Sequence, residues 1–222
     1  MTIFDYFKQA IATSANPIVY EFGACDGYHT NEMLNLLRMN SKPFTFHAFE
    51  PVDSLIPTIQ ANCKNHQGLY SLHQCAVGAK QESGKKLYKS SNQYYGSSSL
   101  RKPKKVYEFW KDMTFEETTC DVTTFDAHTQ AVGLGDSIID FVWSDIQGAE
   151  IDLIKGGKEA FKRVRYFFTE FNNHELYEGQ MHQQKQLLKL LPDFEIVEEF
   201  FEVQADGRKE LQDIILRNTK LT

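Results

Sequence analysis

The stretch IVYEFGACDG, residues 18–27, decides the fold class of this chain. Apolar residues lead into Glu21, and Gly23 and Gly27 then enclose a short turn before a helical pattern begins. This order indicates a strand, a tight turn and the N-terminus of a helix. Because glycine tolerates positive φ and has no Cβ, a ligand can approach the backbone of such a turn. The stretch therefore predicts a ligand-binding turn at the end of the first strand.

Strand and helix patterns alternate after this turn, which predicts βαβ units and a mostly parallel sheet. The predicted elements are helix 29–39 with Thr30 as N-cap, strand 44–51, helix 52–65, strand 70–77, strand 138–143, a helix that ends at Gly156-Gly157, strand 164–171 and helix 181–191. The C-terminal segment predicts two strands joined across Asp206-Gly207, because Asp-Gly is a strong hairpin signal. A parallel sheet that ends in an antiparallel hairpin strand is typical of class I methyltransferases. A dinucleotide-binding domain more often ends in another parallel unit.

The bulk composition predicts one large domain. The chain has 222 residues, of which 41% are hydrophobic and 24% charged, and this is ordinary for a globular enzyme. Residues 1–17 predict a short packing helix that ends near Pro17 rather than a signal peptide, and no window is apolar enough to span a membrane. The four cysteines lack metal-ligand spacing, and we expect buried, reduced thiols. We therefore expect a cytoplasmic protein.

The charge distribution is uneven. The net charge of −6 disfavours a nucleic-acid-binding protein. Residues 79–120 are polar and Ser-rich and predict an inserted hairpin and loop region, and between Lys80 and Lys111 nine basic residues accompany only two acidic ones. This segment therefore carries +7 and the remainder −13. The basic segment is a candidate docking site for an anionic partner, although a solvated lysine-rich loop is the alternative.

The turn at residues 21–27 favours S-adenosylmethionine as its ligand. It lacks the middle glycine of GxGxxG, the pyrophosphate fingerprint. Glu50 ends the second predicted strand, where a carboxylate can accept hydrogen bonds from both ribose hydroxyls. The amino and sulfonium groups of this ligand are cationic, so Glu21, Asp26 and Asp145 at strand ends are electrostatically suitable. The alternative is a variant Rossmann domain that binds NAD or a nucleotide sugar.

Six segments in fixed order extend this interpretation: VYEFGACDG, FHAFEP, CAVG, FVWSDIQGAEIDLIKGG, FFTEFNNHELYEGQ and LQDIILRN. They resemble the FkbM-type S-adenosylmethionine-dependent O-methyltransferases from Ile18 onward. The most specific match is DIQGAE at residues 145–150, where that family more often has Glu in place of Gln147 and often Lys near Ser144. The resemblance implies an α/β three-layer sandwich of class I, with a mostly parallel seven-stranded sheet and a terminal antiparallel hairpin strand. It implies a single methyltransferase domain over 1–222, with an N-terminal helix at 1–17 and an acceptor site at the insert, 79–120.

The same resemblance, with the charge argument, gives the expected cofactor-binding residues: Glu21, Gly23, Ala24, Asp26, Gly27, Glu50, Ala76, Val77 and Asp145. The acceptors of the family are hydroxyl groups, frequently on sugars or glycosylated natural products. In the basic insert, Tyr94, Tyr95 and Trp110 are candidates for stacking on sugar rings.

A hydroxyl acceptor must lose its proton during or just after attack, so a base is required. The candidates at strand ends are Asp145, His174, Glu170 and Glu150, of which Asp145 and His174 are favoured. Glu150 has an alternative role as a carboxylate at a helix N-terminus, and His174 as a surface loop residue. A divalent metal held by Asp145, Glu170 and His174 is the less favoured alternative.

The leading hypothesis is therefore an S-adenosylmethionine-dependent O-methyltransferase that acts on a hydroxyl of a sugar or glycoconjugate. The basic insert would allow this acceptor to be anionic. Two alternatives remain. The acceptor is a non-sugar small metabolite, or the chain is a non-catalytic cofactor-binding module of a glycan-assembly system.

Overall fold

The computed structural model describes residues 1–203 and 209–221. Its strands are β1 (Ile18–Phe22), β2 (Thr45–Phe49), β3 (Ser71–His73), β4 (Ala76–Val77), β5 (Glu82–Ser90), β6 (Phe115–Thr123), β7 (Ile139–Ser144), β8 (Val164–Glu170), β9 (Phe194–Val203) and β10 (Lys209–Asn218). Its α-helices are α1 (Ile3–Ala12), α2 (Tyr28–Met39), α3 (Ile56–Asn62), α4 (Val106–Phe109), α5 (Phe125–Ala131), α6 (Glu150–Gly156), α7 (Lys158–Phe161) and α8 (Gln184–Leu190).

Seven strands form the main sheet in the order β3-β2-β1-β7-β8-β10-β9. The first five are parallel, and β10 runs antiparallel to both β8 and β9. The predicted seven-stranded sheet with a terminal antiparallel pair is thus confirmed, while the predicted turn at Asp206-Gly207 lies outside the described residues. In the register, Phe22 pairs with both Phe49 and Ser144. The carboxyl ends of β1, β2 and β7 therefore meet at one edge of the sheet.

Helices cover both faces of this sheet, because successive strand residues point to opposite sides. On β1, Val19 packs into one core cluster, whereas Tyr20 and Phe22 pack into the other. The Val19 cluster includes residues of α1, α2 and α3, and the Tyr20 cluster includes residues of α5, α6, α7 and α8. The result is a three-layer sandwich. Among the described residues, none of the helices has the length and apolar character that a membrane crossing requires.

Helix α1 forms where the sequence predicts a packing helix. The Thr2 side chain accepts a hydrogen bond from Asp5 N at 3.2 Å, and the Asp5 carboxylate accepts one from Thr2 N at 3.0 Å. This capping box satisfies two backbone donors that the first helical turn leaves unpaired. Phe7 and Ile11, four residues apart, are buried against the sheet. Local capping and helical spacing together specify this element.

The predicted strand 70–77 is wrong as a single element. Residues Ser71–His73 pair with β2, whereas Ala76–Val77 pair with Val122 and Thr123 in a separate three-stranded sheet of order β4-β6-β5. The remaining pair in this small sheet, β5 and β6, is antiparallel and comes from the insert. The chain changes sheets between His73 and Ala76 because the end of β6 supplies a second set of backbone partners.

Two helix starts also differ from the prediction. Thr30 is not an N-cap, because Gly27, at φ +82°, lets the turn enter α2 directly and the helix begins at Tyr28. The Thr30 hydroxyl is buried instead and donates to Glu21. Helix α8 begins at Gln184 rather than Met181. The predicted helix 52–65 is α3 flanked by short 3₁₀ turns at 53–55 and 64–66.

All four cysteines are unpaired, as the sequence predicts for reduced thiols. Cys63 is buried, whereas the other three are half-buried.

Candidate functional site

A cavity of about 300 Å³ opens at the carboxyl edge of β1, β2 and β7. Seven of the nine predicted cofactor-binding residues line it: Gly23, Ala24, Asp26, Glu50, Ala76, Val77 and Asp145. Glu21 and Gly27 do not line it in the part of the chain that the structure describes. A Cβ added to Gly27 would lie 3.1 Å from Ile59 Cα, so this glycine allows α2 to pack closely against α3.

Gly23 holds the loops after β1 and β7 together. Its φ is +89°, and a Cβ at this position would lie 1.9 Å from the backbone oxygen of Asp145. The Asp145 backbone N–H also donates to the Phe22 carbonyl at 2.9 Å. A residue without a side chain is therefore required for both the conformation and the contact. The two loops form one continuous wall of the cavity.

Glu50 fixes the geometry of the neighbouring wall. Its carboxylate accepts hydrogen bonds from the backbone N–H of Cys25 at 2.8 Å and of Val52 at 2.9 Å, one on each oxygen. Burial raises the pKa of Glu50 to about 7, although the two N–H donors oppose this shift. Each carboxylate oxygen retains a further lone pair, so Glu50 can still accept hydrogen bonds from a ligand.

Glu21 lies in the same strand end but is fully buried. The Thr30 hydroxyl donates to Glu21 Oε2 at 2.5 Å, while Oε1 has no hydrogen-bond partner among the described residues. Burial raises the pKa of Glu21 to about 8, and the carboxylates of Glu50 and Asp145 add to this shift. An unpaired buried oxygen in an acidic setting is suited to a cationic ligand group.

Gln147 connects two predicted catalytic carboxyls. Its side-chain Nε2 donates to Asp145 Oδ1 at 2.7 Å and to Glu170 Oε2 at 2.6 Å, and its Oε1 accepts from the Tyr177 hydroxyl at 3.2 Å. Burial, followed by the charge and hydrogen bond of Asp145, raises the pKa of Glu170 well above its ordinary value. Because like charges this close disfavour double ionisation, the Asp145 charge adds to the cost of ionising Glu170.

Two further acids surround this pair. Burial, followed by the Asp145 charge, raises the pKa of Asp213 on β10 to about 7. Burial raises that of Glu150 to about 7 as well, and Glu150 accepts a long hydrogen bond of 3.4 Å from Ile146 N at the start of α6. Sequence reasoning missed Asp213, because only the pairing of β10 with β8 brings it opposite Glu170.

Of the four predicted catalytic residues, Asp145 lines the cavity, whereas Glu150, Glu170 and His174 do not within the described residues. The His174 ring packs against Phe109 with centroids 4.9 Å apart, and its Nε2 lies 3.8 Å from a Glu210 carboxylate oxygen. In the described part of the chain, Asp145, Glu170 and His174 do not form a group close enough to hold a metal ion.

The insert forms the roof of the cavity with residues that are mostly uncharged: Leu87, Tyr95, Gly96, Ser98, Ser99 and Leu100. Among the hydrogen bonds that attach it in the described residues, three are made by hydroxyl groups. The Tyr95 hydroxyl donates to Asp26 Oδ2 at 3.2 Å, the Ser99 hydroxyl to the Gln147 carbonyl at 2.7 Å, and the Tyr177 hydroxyl to the Ser97 carbonyl at 2.7 Å. Sequence reasoning located the insert but missed most of these contact residues, which give no local motif.

The basic residues of the insert are largely paired. Seven of the nine contact carboxylates: Lys80 and Lys85 with Glu82, Lys86 with Glu117, Lys89 with Asp53, Arg101 with Asp152, Lys102 with Glu178 and Lys104 with Glu175. None of the nine lines the cavity in the described residues. The docking of an anionic acceptor on this segment stays a prediction.

The sheet order, the terminal antiparallel strand and a cavity at the carboxyl ends of β1, β2 and β7 define a class I methyltransferase fold. The family model for the methyltransferase FkbM domain matches residues 21–209, and the chain belongs to this family. It is an S-adenosylmethionine-dependent methyltransferase.

Comparison with known proteins gives one curated relative and several structures. The chain is 32% identical over 214 residues to 2-O-methyltransferase NoeI of Sinorhizobium fredii, covering 93% of this chain and 81% of NoeI. It resembles the crystal structure of methyltransferase FkbM from Methylobacillus flagellatus with a TM-score of 0.54 and 14% identity. That match covers 90% of this chain but only 44% of the other. A Burkholderia thailandensis 1,6-didemethyltoxoflavin-N1-methyltransferase with bound S-adenosylhomocysteine matches with a TM-score of 0.50 and 11% identity, covering 97% of this chain and 77% of the other.

The residues around the cavity fit S-adenosylmethionine. Asp26 and Asp145 line it, and both oxygens of the Glu50 carboxylate keep a lone pair for the ribose hydroxyls. The acidic cavity suits a ligand that carries sulfonium and ammonium charges.

Proposed function

We propose that this protein methylates a hydroxyl group of a sugar or glycoconjugate, with Asp145 as the proton acceptor. One observation carries the proposal: Asp145 lines the cavity, and Gln147 donates a hydrogen bond to its carboxylate. The name of the relative NoeI, a 2-O-methyltransferase, supports an oxygen acceptor. The match to the FkbM domain over residues 21–209 supports one methyltransferase domain across the chain.

S-adenosylmethionine supplies an electrophilic methyl group when it is bound. Glu50 would accept hydrogen bonds from its ribose hydroxyls, since both carboxylate oxygens are already oriented by backbone donors. Asp26 and Asp145, which line the cavity, would place negative charge beside the cationic groups. Gly23 and Ala24 would bring the backbone close. Ala76 and Val77, which leave the main sheet beside Glu50, would contribute apolar contacts.

Asp145 has the surroundings that a general base requires. Gln147 donates to one of its oxygens and holds the side chain in place. A carboxylate held in this way can take the proton of an acceptor hydroxyl while the oxygen attacks. Positioning supplies the larger contribution, about 7–11 kcal/mol when reacting atoms are held in line.

Exposed aromatic side chains of the insert support a sugar acceptor. Tyr95 lines the cavity and is 43% exposed, and Trp110 is 40% exposed beside Phe109, which packs on His174. Exposed rings of this kind stack on the apolar faces of sugars. Tyr94, the third residue predicted for stacking, packs instead against the small core cluster of the insert.

Mass spectrometry of the methylated products tests which acceptor the protein uses. The purified chain is incubated with methyl-labelled S-adenosylmethionine and a panel of oligosaccharides and non-sugar alcohols. Transfer to a sugar hydroxyl is expected, and transfer only to non-sugar alcohols would contradict the proposed acceptor. Glycans from cells with and without the gene identify the methylated position.

Asp145→Asn tests the base. This variant should lower kcat by about 100-fold or more, because general bases contribute factors of this size. Asp53→Asn, which removes an exposed carboxylate outside the cavity lining, is the control and should leave kcat unchanged. Full methyl transfer by Asp145→Asn would contradict the assigned role.

A further inference from the structure

Three histidines from three different elements meet under the sheet edge: His47 on β2, His73 on β3 and His128 on α5. One ring nitrogen from each lies within 4.8 Å of one from each of the others. His47 Nδ1 and His73 Nε2 are 3.0 Å apart. No short sequence motif marks this cluster, because the histidines are separated by 26 and 55 residues.

The ring nitrogens are close to the spacing that a tetrahedral metal requires. Zinc binds histidine nitrogen at about 2.0–2.1 Å, which places two ligand nitrogens about 3.4 Å apart. The His47 and His73 nitrogens are already near this separation. The largest separation, 4.8 Å, closes with a side-chain shift of about 1.4 Å. Imidazole ligands favour zinc over the hard ions magnesium and calcium.

His128 provides a second, independent observation. Its Nε2 is buried and has no hydrogen-bond partner among the described residues, whereas its Nδ1 lies 3.3 Å from the Tyr20 hydroxyl. A metal-binding histidine commonly has its other ring nitrogen held by a hydrogen bond, which fixes the tautomer and the ring orientation. If Tyr20 accepts from Nδ1–H, the lone pair of Nε2 is left for a metal. Buried polar atoms rarely stay unpaired, so this nitrogen points to a missing partner.

We propose that His47, His73 and His128 form a zinc site with a water molecule as fourth ligand. The ion would join β2, β3 and α5 directly beneath the cavity wall. The Phe49 ring, which lines the cavity, stacks on His73 with centroids 4.6 Å apart, and the His73 carbonyl accepts from Glu50 N at 3.0 Å. This site is separate from the methyl-transfer chemistry and does not depend on it.

The experiment uses the full chain after treatment with a chelator. Zinc chloride is titrated by calorimetry, with magnesium and calcium chlorides in parallel runs. One Zn²⁺ per chain with a Kd below about 1 μM is expected, together with a higher Tm, because a ligand that binds only the folded state stabilises it. Absence of zinc binding at micromolar concentrations would overturn the proposal.

Two variants locate the site. His128→Phe and His73→Phe keep an aromatic ring for packing but remove a ligand, and each should weaken zinc binding by about 100-fold or more. His182→Phe is the control, since His182 is a half-buried histidine outside the cluster, and it should bind zinc as the unaltered chain does. Unchanged affinity in both cluster variants would refute the assignment.

X-ray absorption of the zinc-loaded chain answers the question even if a variant fails to fold. Nitrogen and oxygen ligands at about 2.0–2.1 Å are expected. A sulfur ligand at about 2.3 Å would instead assign the ion to the free thiols and overturn the proposal.

Discussion

Glu50→Gln separates the two tasks that the structure gives to this carboxylate. In the folded protein each oxygen accepts one backbone N–H, from Cys25 and from Val52. An amide side chain has only one oxygen, so one of these two N–H groups loses its acceptor. The variant also loses the negative charge that would accept hydrogen bonds from the ribose hydroxyls.

The magnitudes follow from these contacts. Hydrogen bonds to charged groups contribute about 1.5–3 kcal/mol, so Kd for S-adenosylmethionine should rise about 10- to 150-fold. An unpaired buried N–H costs about 1–3 kcal/mol, which for a chain of this length lowers Tm by about 2–12 °C. Because the pKa of Glu50 is about 7, the comparison is made at pH 8, where the native carboxyl is mostly ionised.

Calorimetry with S-adenosylmethionine measures the affinity, and circular dichroism confirms that the variant is folded. Asp53→Asn is the matched control. It also removes one negative charge, three residues from Glu50, but the Asp53 side chain is 78% exposed. This control should bind within about twofold of the unaltered protein, because exposed charges in water interact weakly. A folded Glu50→Gln variant with unchanged affinity, or an equal loss in the control, would refute the reasoning.

Four further predictions test other parts of the site. Gly23→Ala should prevent folding or abolish cofactor binding, because the added Cβ would meet a backbone oxygen at 1.9 Å. Gly68 has a similar φ of +80°, but a Cβ there would have nothing within 4 Å, so Gly68→Ala should lower the free energy of thermal unfolding by only about 1–2 kcal/mol. Affinity for the cationic cofactor should rise about tenfold from pH 6 to pH 8.5 in calorimetry, because binding favours ionised Glu50, whose pKa is about 7. Without ligand, the folded state holds more protons on Glu21 and Glu50, whose pKa values are about 8 and 7, than the unfolded chain does, so the free energy of unfolding should fall as pH rises from about 4.5 to 8. Gln147→Leu should lower kcat about tenfold or more in a methyl-transfer assay while cofactor affinity changes little, because it releases Asp145.

The residues proposed to bind the methyl donor could be predicted from the sequence, because the patterns that indicate them are local. Gly23 is required by a positive φ and a close backbone contact, and both leave a glycine at a fixed place in the strand-turn-helix pattern. Glu50 and Asp145 each end a buried strand, and parallel strands bring their carboxyl ends to one edge. Periodicity and turn chemistry therefore locate these residues without any knowledge of long-range contacts.

The rest depends on contacts between distant segments, and no local pattern specifies them. Tyr95 reaches Asp26 across 69 residues, and Ser99 reaches the backbone of Gln147 across 48. Thr30 occupies a position with N-cap chemistry, yet its hydroxyl is used by Glu21 because the helix begins earlier. Propensity describes what a residue can do locally, whereas tertiary pairing decides which partner it takes.

Gln147 shows why the residues near the methyl acceptor are harder to predict from sequence than those that bind the methyl donor. An amide is the side chain that can donate to the carboxyls of Asp145 and Glu170 and also accept from Tyr177. A glutamate there could accept from Tyr177 but could not donate to either carboxyl, and it would add a third carboxyl beside them. Because Tyr177 also holds Ser97, the same amide joins the proposed base to the cavity roof. The side chain at residue 147 therefore holds the carboxyl of Asp145 and, through Tyr177, contacts the insert, so the two contacts change together when this residue is replaced.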